Sequence, residues 1–238
     1  ERGQEGDVWR PVINSPMPEA KRGKSVHRTA YWRNRSCMDP ENDLDYSTPR
    51  CFQRAIEFLD TNHDVDNWHL HLELFDPHEP FDCPSHYRDL YNDTWEHDFF
   101  TWPPYAALDP ELDTPETVEH IRKCYAGTLT MADAWLGRFL DKMEELGMWE
   151  DTTVVLTTDH GHMLGEHGYW AKNYMFDYND LARIPLIIRS PELKGQRRTD
   201  RLTWAPDVMP TFLELHGAGP TDRLHGKSLV HLLKDDQP

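Results

Sequence analysis

The sequence predicts an α/β fold with a mainly parallel central sheet flanked by helices. Three observations carry this. Periodicities along the chain run helix, strand, long loop, long helix, strand, loop, strand, helix, the alternation that builds layered α/β domains. Two short apolar runs, Val154-Val155-Leu156 and Ile184 to Arg189, have the continuous character of strands buried on both faces. Two polar clusters, Asp76/His78 and Asp159/His160, each fall just past a predicted strand. That is where ligands sit in such sheets.

The elements follow in order. Residues 1 to about 48 are polar, charged and broken by prolines, so they read as an irregular excursion. Phe52, Ala55, Ile56 and Leu59 recur at helical spacing and predict a helix over Arg50 to Asp60. Trp68, Leu70, Leu72 and Leu74 alternate with His69, His71 and Glu73, a period of two that predicts a half-buried strand ended by Pro77 and Pro80. Residues 81 to 113 are aromatic, acidic and proline-rich, and read as a long irregular loop. Next comes the longest helix. Thr114 suits its N-cap and Pro115 its first turn; Val118, Ile121, Tyr125, Ala132, Leu136, Leu140 and Met143 mark its apolar stripe. Gly147 suits its C-terminal end, and Gly127 is expected to weaken or divide it. The strand at 154–156 runs into Asp159-His160-Gly161-His162, the strand at 184–189 follows, and Ala205 to His216 and Ser228 to Lys234 read as helices. Residues 1–64 are thus expected to form an excursion and connecting helix, and 65–238 the main body.

Composition narrows the function. The 238 residues, 38% of them hydrophobic, can build a core. Against 25 basic side chains stand 42 acidic ones, a formal −17, which repels nucleic-acid backbones and argues against general nucleic-acid binding. No run of 18 apolar residues occurs, so no membrane span is expected. The 4 cysteines have no close-set metal-ligand spacing and give neither a disulfide scaffold nor a zinc ribbon. Residue 1 is Glu and no basic, apolar leader opens the chain, so it reads as processed or as a piece of something longer; the compartment stays undefined.

Asp159-His160 offers one oxygen and one nitrogen ligand side by side, a set that a divalent ion accepts, and Gly161 permits the backbone to turn there. By itself the dipeptide reads first as a hydrogen-bonded turn, since short motifs match by chance. His78 stands between Pro77 and Pro80, which restrict the backbone and fix the imidazole for proton transfer or anion binding; the plainer reading is a rigid polar turn. Lys172 can neutralise an anionic substrate or its leaving oxygen, although a solvated lysine is the usual fate of the residue. His69 and His71 share one strand face and read as a polar surface. Cys83-Pro84-Ser85-His86 has no base or oxyanion donors placed near it by sequence and reads as structural.

Taken together these segments resemble the sulfatase family of the alkaline-phosphatase-like superfamily. The strongest stretch is Thr157 to Lys172, Thr-Thr-Asp-His-Gly-His-Met-Leu-Gly-Glu-His-Gly-Tyr-Trp-Ala-Lys. Ile184 to Arg189 resembles the strand that follows in the family, Asp207 to Leu215 the helix after it, and Leu224-His225-Gly226-Lys227-Ser228-Leu229 a Gly-[Arg/Lys]-Ser-Leu stretch. Tyr125 to Gly147 resembles the long helix before the metal strand, and Phe75 to Pro80 the strand end that bears a substrate-contacting histidine.

The resemblance implies an incomplete alkaline-phosphatase-like fold and a set of roles. Asp159 and His160 would hold a divalent metal, calcium first, with manganese or magnesium as alternatives. His78 and Lys172 would bind the sulfate ester and serve catalysis. The family nucleophile is a formylglycine made from Cys or Ser, and none of Cys37, Cys51, Cys83 and Cys124 stands in its motif. The early Asp-Asp metal pair is also absent. The chain therefore reads as the middle and later part of a sulfatase, inactive alone, with formylglycine expected upstream. A severed sheet predicts self-association or a companion chain. The rivals are a phosphonate or phosphodiester hydrolase of the same superfamily, and a non-catalytic binding protein that retains the fold.

Overall fold

A computed structural model describes residues 38–97, 100–173, 175–193, 196, 198–219 and 223–234; the first 37 residues of the predicted excursion lie outside it. The chain divides into two compact units, residues 1–146 with 162–182, and residues 147–161 with 183–238.

The first unit is built on helices. Helix α1 spans Ser47–Asn62 and buries Phe52, Ala55 and Leu59, the face predicted from spacing. Helix α2 is a single turn, Ser85–Arg88. Helix α3 spans Pro115–Glu145 without a break. Thr114 caps its start by accepting from the Thr117 backbone N–H, and Gly147 follows its end with φ 69°. Gly127 does not divide it. A Cβ there would come within 3.0 Å of Cys83 Sγ and 3.2 Å of the Arg88 Cα, so glycine is what lets α2 lie against α3.

The apolar stripe of α3 is right at Ile121 and Met143 and turned by one residue between them. Trp135 and Phe139 are buried, whereas Leu136 and Leu140 are only half-buried. The partner decides this: Phe139 packs on Phe52 of α1 at 6.1 Å between ring centroids, and Trp135 Nε1 donates to Asp43 Oδ2 at 2.8 Å. Asp43 also accepts from Tyr87 Oη at 3.0 Å, tying a 3-10 turn before α1 to both α2 and α3.

The loop over 81–113 is largely irregular among its described residues, as expected, and several of its aromatic side chains enter the core. Phe81 and Phe100 are buried with Ile121, Cys124 and Trp170, and Trp95, Trp102 and Leu108 pack against them. Strands β2 (Met163–Leu164) and β3 (Trp170–Ala171) form a short antiparallel hairpin. Residues 106–108 lie beside it, with Trp170 N–H on the Ala106 carbonyl at 2.9 Å and Leu108 N–H on that of Gly168 at 2.8 Å. A one-turn helix, α4 (Asn179–Ala182), closes the unit.

The second unit holds strands β1 (Val154–Thr157) and β4 (Leu186–Arg189) and helices α5 (Val208–Leu215) and α6 (Val230–Lys234). Val155, Leu186 and Ile188 from the sheet meet Val208, Phe212 and Leu229 from the other layer. Asp207 is buried: its carboxylate accepts the Lys227 N–H at 2.8 Å and the Trp204 N–H at 3.1 Å. Thr211 Oγ1 accepts the Leu229 N–H at 2.9 Å. These bonds draw the Gly-Lys-Ser-Leu stretch onto the start of α5, and Gly226 is required there because a Cβ would stand 2.0 Å from the Pro206 carbonyl oxygen.

The mainly parallel central sheet is not found among the described residues. β1 and β4 pair antiparallel, with Val154 opposite Arg189 and Thr157 opposite Leu186. Parallel neighbours need a long crossover, usually helical, and between β1 and β4 the described helix α4 has four residues. Residues 68–75 are not a strand either, although they alternate between half-buried and exposed as the period of two predicts. The side chains sort to two faces, but no backbone ladder partners them among the described residues. Leu156 and Ile187 face each other across β1 and β4 and are exposed, 39% and 59%, so these strands are not buried on both faces as their continuous apolar runs predicted.

Gly226→Ala is expected to lower the unfolding free energy by about 1–3 kcal/mol, because backbone rather than a flexible side chain meets the new methyl. Gly219→Ala, with nothing within 4 Å, is the control. Equal melting temperatures for the two variants would contradict the close approach.

Candidate functional site

His78 sits in the turn after the alternating segment, flanked by cis Asp76–Pro77 and Glu79–Pro80 peptides. Its Nδ1 lies 2.6 Å from the Glu79 carbonyl oxygen, a pure acceptor, so Nδ1 carries the hydrogen and Nε2 is left for proton transfer or anion binding. The Phe75 ring packs against the imidazole at 4.4 Å. Side-chain exposure of 31% keeps it open to a ligand.

Beside it lies a group that sequence reasoning passed over. Glu79 is 1% exposed. Its carboxylate accepts from Tyr105 Oη and from His162 Nε2, the latter at 3.0 Å. Burial alone would raise its pKa; the bonds from His162 and Tyr105 and the attraction of His78 outweigh this and hold it at about 2. Residues 79, 105 and 162 are far apart in sequence, and only the surplus of histidine in Asp-His-Gly-His hinted at the contact. Asp76 behaves oppositely. Burial raises it to about 6, helped by the neighbouring Asp82 and opposed by hydrogen bonds with Thr48 and Ser47 at the start of α1.

Lys172 is half-buried and follows Ala171, which is fully buried with φ 67°. A left-handed alanine costs roughly 1–2 kcal/mol, the kind of local strain that gathers near functional residues. His78, Glu79, His162 and Lys172 all belong to the first unit.

Asp159 and His160 belong to the second unit, immediately past β1. Asp159 Oδ1 accepts the His160 backbone N–H at 2.8 Å, and Oδ2 lies 3.2 Å from His160 Nε2. His160 Nδ1 lies 2.7 Å from the Gly161 carbonyl oxygen. That second contact orients the ring as metal-binding histidines are oriented, with one nitrogen committed to a carbonyl and the other facing a shared point. Partial burial pushes the Asp159 pKa up, but the His160 N–H and the attraction of its imidazole prevail and hold the carboxyl below its usual range. The oxygen and nitrogen converge, and both side chains are open to solvent, so the pair fits a divalent cation.

The other candidates take the plain reading. His69 and His71 are exposed on one side of their segment. Cys83 is buried, and burial, reinforced by Asp82, pushes its thiol up to about 12, unsuited to a nucleophile.

The class of protein is that of the alkaline-phosphatase-like superfamily, to which the matching family model and the similar solved structures belong. Within it, the chain belongs to the sulfatase family: the Sulfatase family model matches residues 12–218. The chain is similar to the multifunctional alkaline phosphatase superfamily protein PehA of Trinickia caryophylli, 28% identical over 78% of this chain and 41% of that protein. It is also similar to an arylsulfatase of Clostridium perfringens, 27% identical over 76% of this chain and 40% of that one. Among solved structures, the phosphonate monoester hydrolase of Silicibacter pomeroyi is 26% identical with a TM-score of 0.67, over 83% of this chain and 43% of that one. The chain spans about two-fifths of the length of these relatives.

The two carboxylates near His78 give opposite pH signatures. Glu79, depressed from 4.5 to about 2, contributes stability above pH 4.5 that is lost as pH falls towards 2, on the order of 3 kcal/mol. Asp76, raised from 3.8 to about 6, costs stability above pH 6 and returns it as pH falls towards 3.8. In urea unfolding, Glu79→Gln is expected to flatten the loss below pH 4.5, and Asp76→Asn the gain between pH 6 and 3.8. A parental pH dependence in both variants would refute the assignments.

Proposed function

We propose that the complete protein hydrolyses sulfate esters in a metal-dependent reaction, and that this chain supplies the central and later part of its catalytic domain. Family membership supports the ester class. The observation that carries the site is the convergence of Asp159 Oδ2 and His160 Nε2, 3.2 Å apart, with the other ring nitrogen held on the Gly161 carbonyl. In this reading Asp159 and His160 hold the cation, calcium by preference, with manganese or magnesium as alternatives. A cation held there would supply polarisation of the ester oxygens and so lower the charge barrier to attack at sulfur.

The remaining steps fall to the chain's own side chains. His78 presents Nε2 to the ester, because Nδ1 is engaged by the Glu79 carbonyl. Glu79, locked by His162 and Tyr105, keeps that turn in place and acts as a positioning residue. Lys172 offsets the charge of the sulfate group and of the oxygen that leaves with the alcohol. The nucleophile, formylglycine in this family, is supplied from outside these 238 residues, since none of the four cysteines stands in its motif.

A second reading, phosphonate or phosphodiester hydrolysis, is favoured by the likeness to the phosphonate monoester hydrolase, because an Asp–His cation site, a lysine and a histidine serve either anion.

With the complete protein, aryl sulfate turnover is expected to exceed that of a matched phosphonate monoester; the reverse order would select the second reading. Lys172→Ala is expected to lower kcat/KM for the preferred ester by about 10²–10³-fold. Asp159→Ala is expected to abolish the dependence of activity on added cation. The 238-residue chain alone is expected to show no turnover, and genuine metal-dependent hydrolysis by it would overturn the assignment of the nucleophile.

A further inference from the structure

We propose that Asp93, His120 and Cys124 form a second metal site, selective for a divalent d-block cation of zinc-like softness. The site is independent of the ester-hydrolysis reading, which uses none of these residues.

His120 and Cys124 stand one turn apart on the same face of α3, and both are buried. Asp93 reaches them from the loop that follows Asn92, whose left-handed φ of 47° turns the chain. One ligand atom from each residue lies within 4.8 Å of the other two. His120 Nε2 is 2.8 Å from the Phe100 carbonyl oxygen, which can only accept, so Nε2 carries the hydrogen. Nδ1 then directs its lone pair at Asp93 Oδ2, 2.6 Å away, and Cys124 Sγ lies beside the ring, 3.8 Å from Nδ1 and 3.6 Å from Nε2. Two lone-pair atoms at that separation need a shared cation, a proton or a metal ion. The Glu79–His162 pair is also bridged, but hydroxyl and imidazole donors complete it. At His120 the third group is sulfur.

The donor set decides the class of ion. Sulfur, nitrogen and one carboxylate oxygen suit zinc and its neighbours and exclude calcium and magnesium, which take oxygen. Tetrahedral ligands at ordinary zinc bond lengths stand roughly 3.3 to 3.6 Å apart, so a small opening of the Asp93–His120 contact seats the ion. The carbonyl bond on Nε2 and the Trp95 ring, stacked on His120 at 4.4 Å and 12°, hold the imidazole in the ligating orientation. Asp93, His120 and Cys124 line a cavity of about 400 Å³ that Arg88 and His97 also border. It leaves room for a water at the fourth position and an entry path.

Cobalt(II) titration of the full chain, followed by absorption, tests this. Thiolate ligation gives a near-ultraviolet charge-transfer band that an oxygen–nitrogen site such as Asp159/His160 cannot give. The band is expected in the parent and in Asp159→Ala, to be displaced by zinc, to vanish in Cys124→Ser, and to need about 10–100-fold more metal in Asp93→Asn. Circular dichroism checks the fold of each variant. No band in the parent, or a band that survives Cys124→Ser, overturns the proposal. Should Cys124→Ser fail to fold, Asp93→Asn decides, and unchanged affinity there overturns it equally.

Discussion

Helix α3 has more apolar surface than any one neighbour could cover, and the first unit is organised around burying it. Thirty-one residues long, it exposes charge on one side and buries ten residues on the other. Its second half is covered by α1 through Phe52 and Phe139. Its first half is covered by the aromatic loop and by the β2–β3 hairpin, through Phe81, Phe100 and Trp170. The loop can be irregular and still well placed because its aromatic rings, not a backbone ladder, fix it. The largest rings each bury enough area to outweigh the ordering of several residues.

Polar anchors then set the details that apolar burial leaves open. Asp43 collects Trp135 and Tyr87, Glu79 collects His162 and Tyr105, and Asp207 collects the backbone of Trp204 and Lys227. Each carboxylate is shielded from water and therefore must be satisfied, which makes its partners specific. Two histidines, one in each unit, follow a related rule: His78 and His160 both commit Nδ1 to the carbonyl of the next residue, so each ring is aimed by its own backbone. Under the proposed function the formal −17 opposes an anionic ester, and that reading assigns the attraction to local groups: a cation at Asp159 and His160, and Lys172.

Much of the fold was legible before any coordinates. The caps of α3, the buried face of α1, and the Asp-His turn after β1 rest on residues whose local preferences are strong: Thr114, Pro115, Gly147, Gly161. Where local signals were ambiguous, the partner decided. The α3 stripe turned towards Trp135 because α1 and Asp43 lie there. Gly127, a helix weakener by propensity, is a contact point with α2. The alternation over 68–75 correctly sorted two faces but could not say whether a neighbouring strand exists to pair with them.

The sequence by itself determined the helices α1, α3, α5 and α6, the strands β1 and β4, the family, and the adjacency of Asp159 and His160, because local periodicities, adjacent residues and ordered motifs need no third dimension. Tertiary structure alone decided that β1 and β4 run antiparallel, that Glu79 is a buried carboxylate clamped by Tyr105 and His162, and that Asp93 comes within reach of His120 and Cys124. The physical reason is separation. These contacts join segments tens of residues apart, and a lone Glu or Asp in a polar loop carries no mark of the partners that burial will give it.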